Sequence, residues 1–177
     1  MNTITPVNRE RTFSTDEVIV SKTDTRGVIT YANEVFAKVA GYKEEELLGK
    51  PHSIVRHPDM PRCVFKYLWD TIGDGQEVFA YVKNMAKTGE YYWVYAHVTP
   101  TYDDQGDICG YHSSRRCPDR ASIATIEPIY KALLKEEQRF PDSRKGMEAG
   151  FQLLVATLHG AQKTYEEFVW TITPSQQ

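Results

Sequence analysis

Arg56, His57 and Asp59 are crowded into Val55-Arg56-His57-Pro58-Asp59-Met60-Pro61, a segment with two prolines and no helical or strand period. A guanidinium in such a loop can grip a phosphate through paired N–H bonds or line the mouth of a cavity. It can equally be used inside the loop, in an Arg56–Asp59 contact. Asn84 is the second group of interest. It ends the alternating row Val78, Ala80, Val82, Asn84, and a carboxamide closing an apolar row needs hydrogen-bond partners if it is buried. Either it bonds the backbone before a turn, or its donor and acceptor face a ligand. Other constellations are missing. His52 and His57 flank Arg56 five apart, and Cys63, Cys109 and Cys117 lack metal-ligand spacing, so no metal site is expected. Cys109, in a strand, is expected to be a small buried apolar group. There is no Gly-rich phosphate loop, nucleophile elbow, Ser-His-Asp or Cys-His pairing, which points to binding without catalytic residues.

The elements that must hold these groups fit in 177 residues, enough for one sizeable core and an appendage. Apolar residues make up 41% and charged residues 25%, as in a soluble globular chain. A net charge of -3 without any long basic run argues against nucleic-acid binding. No stretch is apolar enough for direct membrane insertion, and Met1 to Pro6 lacks the apolar core of a signal peptide. A cytoplasmic chain with reduced thiols is therefore expected.

Residues 1–16 read as a polar tail or cap, 17–118 as a globular domain, and 119–177 as a helical extension. Val18 to Thr23 and Val28 to Tyr31 flank the turn Asp24-Thr25-Arg26-Gly27 and form a hairpin. Asn33 caps a helix that buries Val35, Phe36, Val39 and Ala40, and Gly41 ends it. Short helical pieces follow, then a firmer helix from Pro61 whose apolar positions include Trp69. Strands 77–85, 91–100 and 108–116 are joined by turns short enough to make them antiparallel neighbours. This order predicts an α/β or α+β domain: a five-stranded antiparallel sheet with short helices on one face, plus C-terminal helices. On the second of the three long strands, Tyr91, Trp93, Tyr95 and His97 share one face. Tyr92, Val94, Ala96 and Val98 share the other, whose smaller centre leaves room for a ligand. Beyond Pro118 the pattern is helical, with Pro128 expected to kink or restart the helix. Met147, Phe151, Leu154, Leu158, Ala161, Tyr165 and Phe168 step alternately by four and three, a heptad seam. That seam packs either inside the chain or between two copies of it.

Residues Thr23 to Arg116 resemble a PAS domain, and specifically the N-terminal FAD-binding sensor domain of the bacterial aerotaxis receptor family. The resemblance is carried by Asp24-Thr25-Arg26-Gly27-Val28-Ile29-Thr30-Tyr31-Ala32-Asn33-Glu34-Val35-Phe36, by Gly41-Tyr42-Lys43-Glu44-Glu45-Glu46-Leu47-Leu48-Gly49-Lys50-Pro51 and by Val55 to Pro61. Lys83-Asn84 and Lys87-Thr88-Gly89-Glu90-Tyr91-Tyr92-Trp93-Val94 continue it, with an echo at Ile126 to Leu133. It implies a PAS fold whose cavity holds FAD, with Arg56, His57 and Asp59 important for the cofactor and Asn84 at the flavin ring edge. One position departs: Val78 stands where the family tends to carry Trp. Phe79 or Trp93 then compensates, or the affinity is low, or the pocket holds something else. Three classes follow: a flavin redox sensor, a cofactor-free interaction module, and a haem or small-metabolite sensor, with haem behind flavin because only loop histidines are on offer. A sensor of this kind would report through the C-terminal helices, as a homodimer or to a signalling partner.

Overall fold

The computed structural model describes residues 4–173, so the outermost parts of the expected N-terminal tail and C-terminal extension lie outside the described residues. The chain divides into two compact units, one of residues 4–57 and 71–117, the other of 58–70 and 118–173.

The first unit is built on five antiparallel strands. These are β1 (Ile19–Asp24), β2 (Ile29–Ala32), β3 (Val78–Met85), β4 (Tyr91–Tyr102) and β5 (Ile108–Arg116), arranged β2-β1-β5-β4-β3. Short polar turns enforce this order. Asp24 Oδ1 accepts the amides of Arg26 and Val28, both at 2.9 Å, which closes the β1–β2 hairpin. Asp103 Oδ1 does the same for Gln105 and Asp107 between β4 and β5. The three long strands are successive neighbours, as their spacing requires.

α1 (Glu34–Ala40) starts at Asn33, whose Oδ1 accepts the Phe36 amide at 3.0 Å. The same side chain holds β1, taking the Val20 amide and donating to the Val18 carbonyl. Gly41, at φ 70°, ends the helix in the left-handed conformation. α2 (Glu44–Leu47) and a 3-10 turn (His52–Val55) follow. Ile19, Ile29, Phe36, Leu47, Val55, Val78, Ala80 and Val94 are buried in this unit. The N-terminal segment is a cap: the Arg11 amide donates to the Tyr91 carbonyl, the Tyr91 amide donates to the Arg9 carbonyl, and the Val7 amide donates to the Gly89 carbonyl.

The second unit holds most of α3 (Arg62–Gly73), with α4 (Arg120–Glu137), α5 (Ser143–Gly160) and α6 (Tyr165–Ile172). α4 and α5 pack together and α6 contacts α4. Three sequence expectations change here. α4 runs through Pro128 without restarting. Pro128 and Ala124, whose carbonyl loses its helical donor, are both exposed, so water can replace the missing bond. The Met147–Phe168 run is not one seam. Helix α5 stops at Gly160, Gln162 turns at φ 54°, and Thr164 with Glu167 forms a capping box that starts α6. The buried face of α5 is Gly146, Gly150 and Leu154, while Ala161 is exposed. Trp69, read as core, is 39% exposed.

Candidate functional site

Register decides which strand residues share the covered face of the sheet. Ala80 pairs with Ala96, Ala96 with Arg115, and Arg115 with Ile19; two residues along, Val78, Val98, Ser113 and Ser21 line up. Phe36 of α1 lies against Arg115, its ring centroid 4.4 Å from the guanidinium carbon, so this face is the one that α1 covers. Asn84 and Tyr92, paired in register, belong to the same face.

Arg115 is the unexpected member. It is 2% exposed, and no ion pair among the described residues involves it. Its Nη2 donates to Ser21 Oγ at 2.6 Å, but Nε and Nη1 have no hydrogen-bond partner. The buried Tyr92 hydroxyl is likewise without one. Ser21 Oγ also shares a 3.2 Å hydrogen bond with His52 Nε2, and the His52 ring stacks on Phe36 at 5.8 Å between centroids. Desolvation, opposed by Tyr92, lowers the Arg115 pKa to about 10, so the group stays charged at neutral pH. Burial, helped by that same charge, depresses His52 to about 3, and burial raises the Tyr92 phenol. Both neighbours are thus neutral, and one guanidinium supplies an uncompensated positive charge. A buried, unpaired charge costs on the order of several kcal/mol. Next to it the sheet is shallow, because Ala80 and Ala96 are its facing side chains.

The residues singled out from sequence are distributed unevenly. Asn84 is 4% exposed and forms an isolated antiparallel bridge with Arg56 on the free edge of β3. His57 is buried and meets the Tyr91 ring edge-on at 6.1 Å. Val78 is fully buried on the covered face. Asp59 is exposed and belongs to the helical unit, apart from Arg56 and His57 in the sheet unit. Trp93 is buried, yet by register it lies on the opposite face from Val78 and Asn84. Phe79 shares that opposite face, stacked on His97 at 4.2 Å. Neither shares the covered face with Val78, so neither fills the place it leaves. Cys109 is exposed, donating to the Thr101 carbonyl at 3.4 Å, contrary to the buried position expected. Cys63 is buried, and its thiol is pushed up by burial and by Glu137, which keeps it protonated. Sequence reasoning misses Arg115 and Ser21; it places Tyr92 on the face with room for a ligand and weighs His52 only as a loop histidine. Alternation along β5 leaves its covered face open, and only the register with Ile19 and Ala96 puts an arginine there.

Residues 29–115 match the PAS fold, and the chain carries a PAS domain within an α+β architecture. Among known proteins it is similar to the aerotaxis receptor of Escherichia coli K12, 44% identical over 118 residues, which is 67% of this chain and 23% of the receptor. The chain thus spans less than a quarter of that relative's length. Two solved structures share the fold. The light-state structure of the blue-light photoreceptor Aureochrome1 LOV superposes with a TM-score of 0.53 at 24% identity, over 69% of this chain and 91% of its own. A light-oxygen-voltage domain studied with a flavin analogue gives 0.52 at 20%, over 69% and 86%. No helix among the described residues is long and apolar enough to cross a membrane.

Proposed function

We propose that this chain is a flavin-holding sensory unit, with FAD bound between α1 and the covered face of the sheet and its redox state passed to α4–α6. The observation that carries this reading is the buried Arg115 guanidinium, with Nε and Nη1 unpartnered beside the equally unpartnered Tyr92 hydroxyl. These donors fit the acceptor-rich rim of a flavin, whose ring offers carbonyl oxygens and ring nitrogens. When bound, the flavin supplies reversible electron uptake; the protein supplies orientation and charge. Phe36 and His52 offer flat surfaces to a ring, and Asn84 a donor and an acceptor on one amide. Arg56 and His57, tied to β3 and Tyr91, are assigned to the ribose-phosphate portion. The similarity to the aerotaxis receptor and to a flavin-linked light-oxygen-voltage domain supports the same ligand class.

In this reading residues 17–118 sense, and 119–177 form the output, through a homodimer or a separate signalling protein in the cytoplasm. Light scattering of the intact chain distinguishes a dimer from a monomer. The visible absorption spectrum of the purified protein tests the ligand. Flavin bands in the blue support the proposal, a strong Soret band replaces it with haem, and a featureless spectrum that FAD addition does not change leaves a cofactor-free interaction module.

A further inference from the structure

We propose that α6 is exchanged between two copies of this chain, each lodging its α6 against α3 and α4 of the other while α5 runs on as helix through residues 161–164. This rests on the homodimer side of the output reading above and is independent of the ligand.

The hinge carries the first part of the argument. The Lys163 amide donates to the Leu158 carbonyl at 3.1 Å and the Gln162 amide to that of His159 at 3.0 Å, so α5 ends in a paired-bond stop. Such a stop sets one residue in the left-handed conformation, a place that glycine usually takes. Here it is Gln162, at φ 54°, the one non-glycine residue with a positive φ among the described residues. A side chain there is strained, and the strain persists only while the surroundings impose it. The covalent chain does not demand the turn. No proline lies between Asp142 and Thr173, and Ala161, Gln162 and Lys163 all favour helix. With the hinge helical, the four-three seam from Met147 to Phe168 runs unbroken, and Ile172 extends it by four.

The groove names the occupant. Tyr165 and Val169 of α6 are buried. The Tyr165 ring lies 4.6 Å from that of Tyr67, and its hydroxyl 3.4 Å from that of Tyr130. Tyr67 donates to Glu166, and Ser122 Oγ is 2.6 Å from the Ile172 carbonyl. The α6 of a second copy offers the same groups in the same order, so exchange loses none of these contacts. The two states then differ at the hinge. Opening relieves Gln162 and gives up the capping box of Thr164 and Glu167. Two extended helices related by a twofold axis also cross near the hinge. There Val155 and Ala161, exposed in the folded-back chain, and half-buried Leu158 can cover their counterparts.

The test uses the full chain. Gln162→Gly makes the folded-back turn comfortable and weakens a helix through it, so the dimer dissociation constant read by light scattering should rise about tenfold. Thr164→Ala removes a cap that only the folded-back α6 uses, and should lower that constant about fivefold. A dimer built on any other surface would respond to neither change. Charge pairing then shows whether α6 changes hands. One chain carries Tyr67→Lys with Glu166→Lys, a second carries Tyr67→Glu alone, and each repels its own α6 at these half-buried positions. In an exchanged pair each groove meets an α6 of opposite charge. Native mass spectrometry of the mixture should show the mixed dimer well above its statistical share, with each chain alone largely monomeric. A mixed dimer at or below that share, or an unchanged constant for Gln162→Gly, overturns the exchange and leaves the homodimer standing. An intact chain that stays monomeric at every concentration removes the homodimer as well, while the visible spectrum judges the flavin reading separately.

Discussion

Replacing Glu137 with alanine should destabilise the helical unit more than any other single surface or near-surface change there. Glu137 closes α4, is only 7% exposed, and accepts the backbone amides of Arg62 at 2.9 Å and Cys63 at 2.8 Å. Those amides open α3, where helix geometry leaves the first N–H groups without internal partners. Each is a hydrogen bond to a charged acceptor, worth about 1.5–3 kcal/mol. Two such bonds share one side chain, so the losses overlap, and about 3–4 kcal/mol is expected for Glu137→Ala. Glu137→Gln keeps one good acceptor and should lose about half as much. With a urea m-value near 2 kcal/mol/M, the alanine variant's midpoint should fall by about 1.5–2 M, followed by far-UV circular dichroism. Gly150 provides a cross-check, because a Cβ there would stand 2.7 Å from Glu137 Cγ and 3.3 Å from Cys63 Sγ. Gly150→Ala should therefore harm the native chain clearly and harm the Glu137→Ala variant much less. A loss below about 1 kcal/mol for Glu137→Ala, or strict additivity of the pair, would refute the reasoning.

Acid should act through two other groups. His52, depressed to about 3 from an ordinary value near 6.5, contributes stability that is complete above about pH 6.5 and is lost as pH falls toward 3. Glu90, lowered to about 2 by Thr88, Arg11 and Arg9, adds a second loss from about pH 4.3 downward. His52→Gln should flatten the upper part of the melting-temperature curve against pH and Glu90→Gln the lower part; unchanged curves would disprove both assignments. Gly89 and Gly106 share a positive φ, 89° and 87°, but a Cβ on Gly89 would lie 2.2 Å from the Thr5 carbonyl oxygen while Gly106 faces open space. Gly89→Ala should thus lower the melting temperature well beyond Gly106→Ala, and equal losses would show that only the turn conformation matters.

The sheet was legible because its signals are local. Asn33 and Gly41 bracket α1 as cap and stop, and Asp24 and Asp103 write their turns into the chain. The C-terminal half was harder. A four-three apolar spacing survives across Ala161–Thr164 although the backbone turns there, since periodicity counts residues and does not register a capping box that begins a new helix. Asn84, Arg56 and His57 are nominated because they stand out in their segments. Arg115 is not, because β5 reads polar on both faces, with His112, Ser114 and Arg116 on one and Ser113 and Arg115 on the other. Alternation alone then says nothing about which face is covered. Only pairing with Ile19 and Ala96, contacts distant in sequence, puts that guanidinium inside.

The N-terminal cap has a consequence for how this protein behaves when cut short. β5 pairs with β4 only from Tyr95 onward, where Arg116 is its last partner. The backbone of Tyr91, on the same side of β4, is taken up by Arg9 and Arg11 running parallel to it, and their side chains hold Glu90. A fragment starting at residue 17, the boundary that composition suggests, would present β4 there as an open sheet edge next to an unneutralised carboxylate. Exposed edges of this kind recruit strands from other molecules. Such a fragment should aggregate during expression or form strand-paired assemblies unrelated to signalling. Work on the isolated sensor is better begun before Val7.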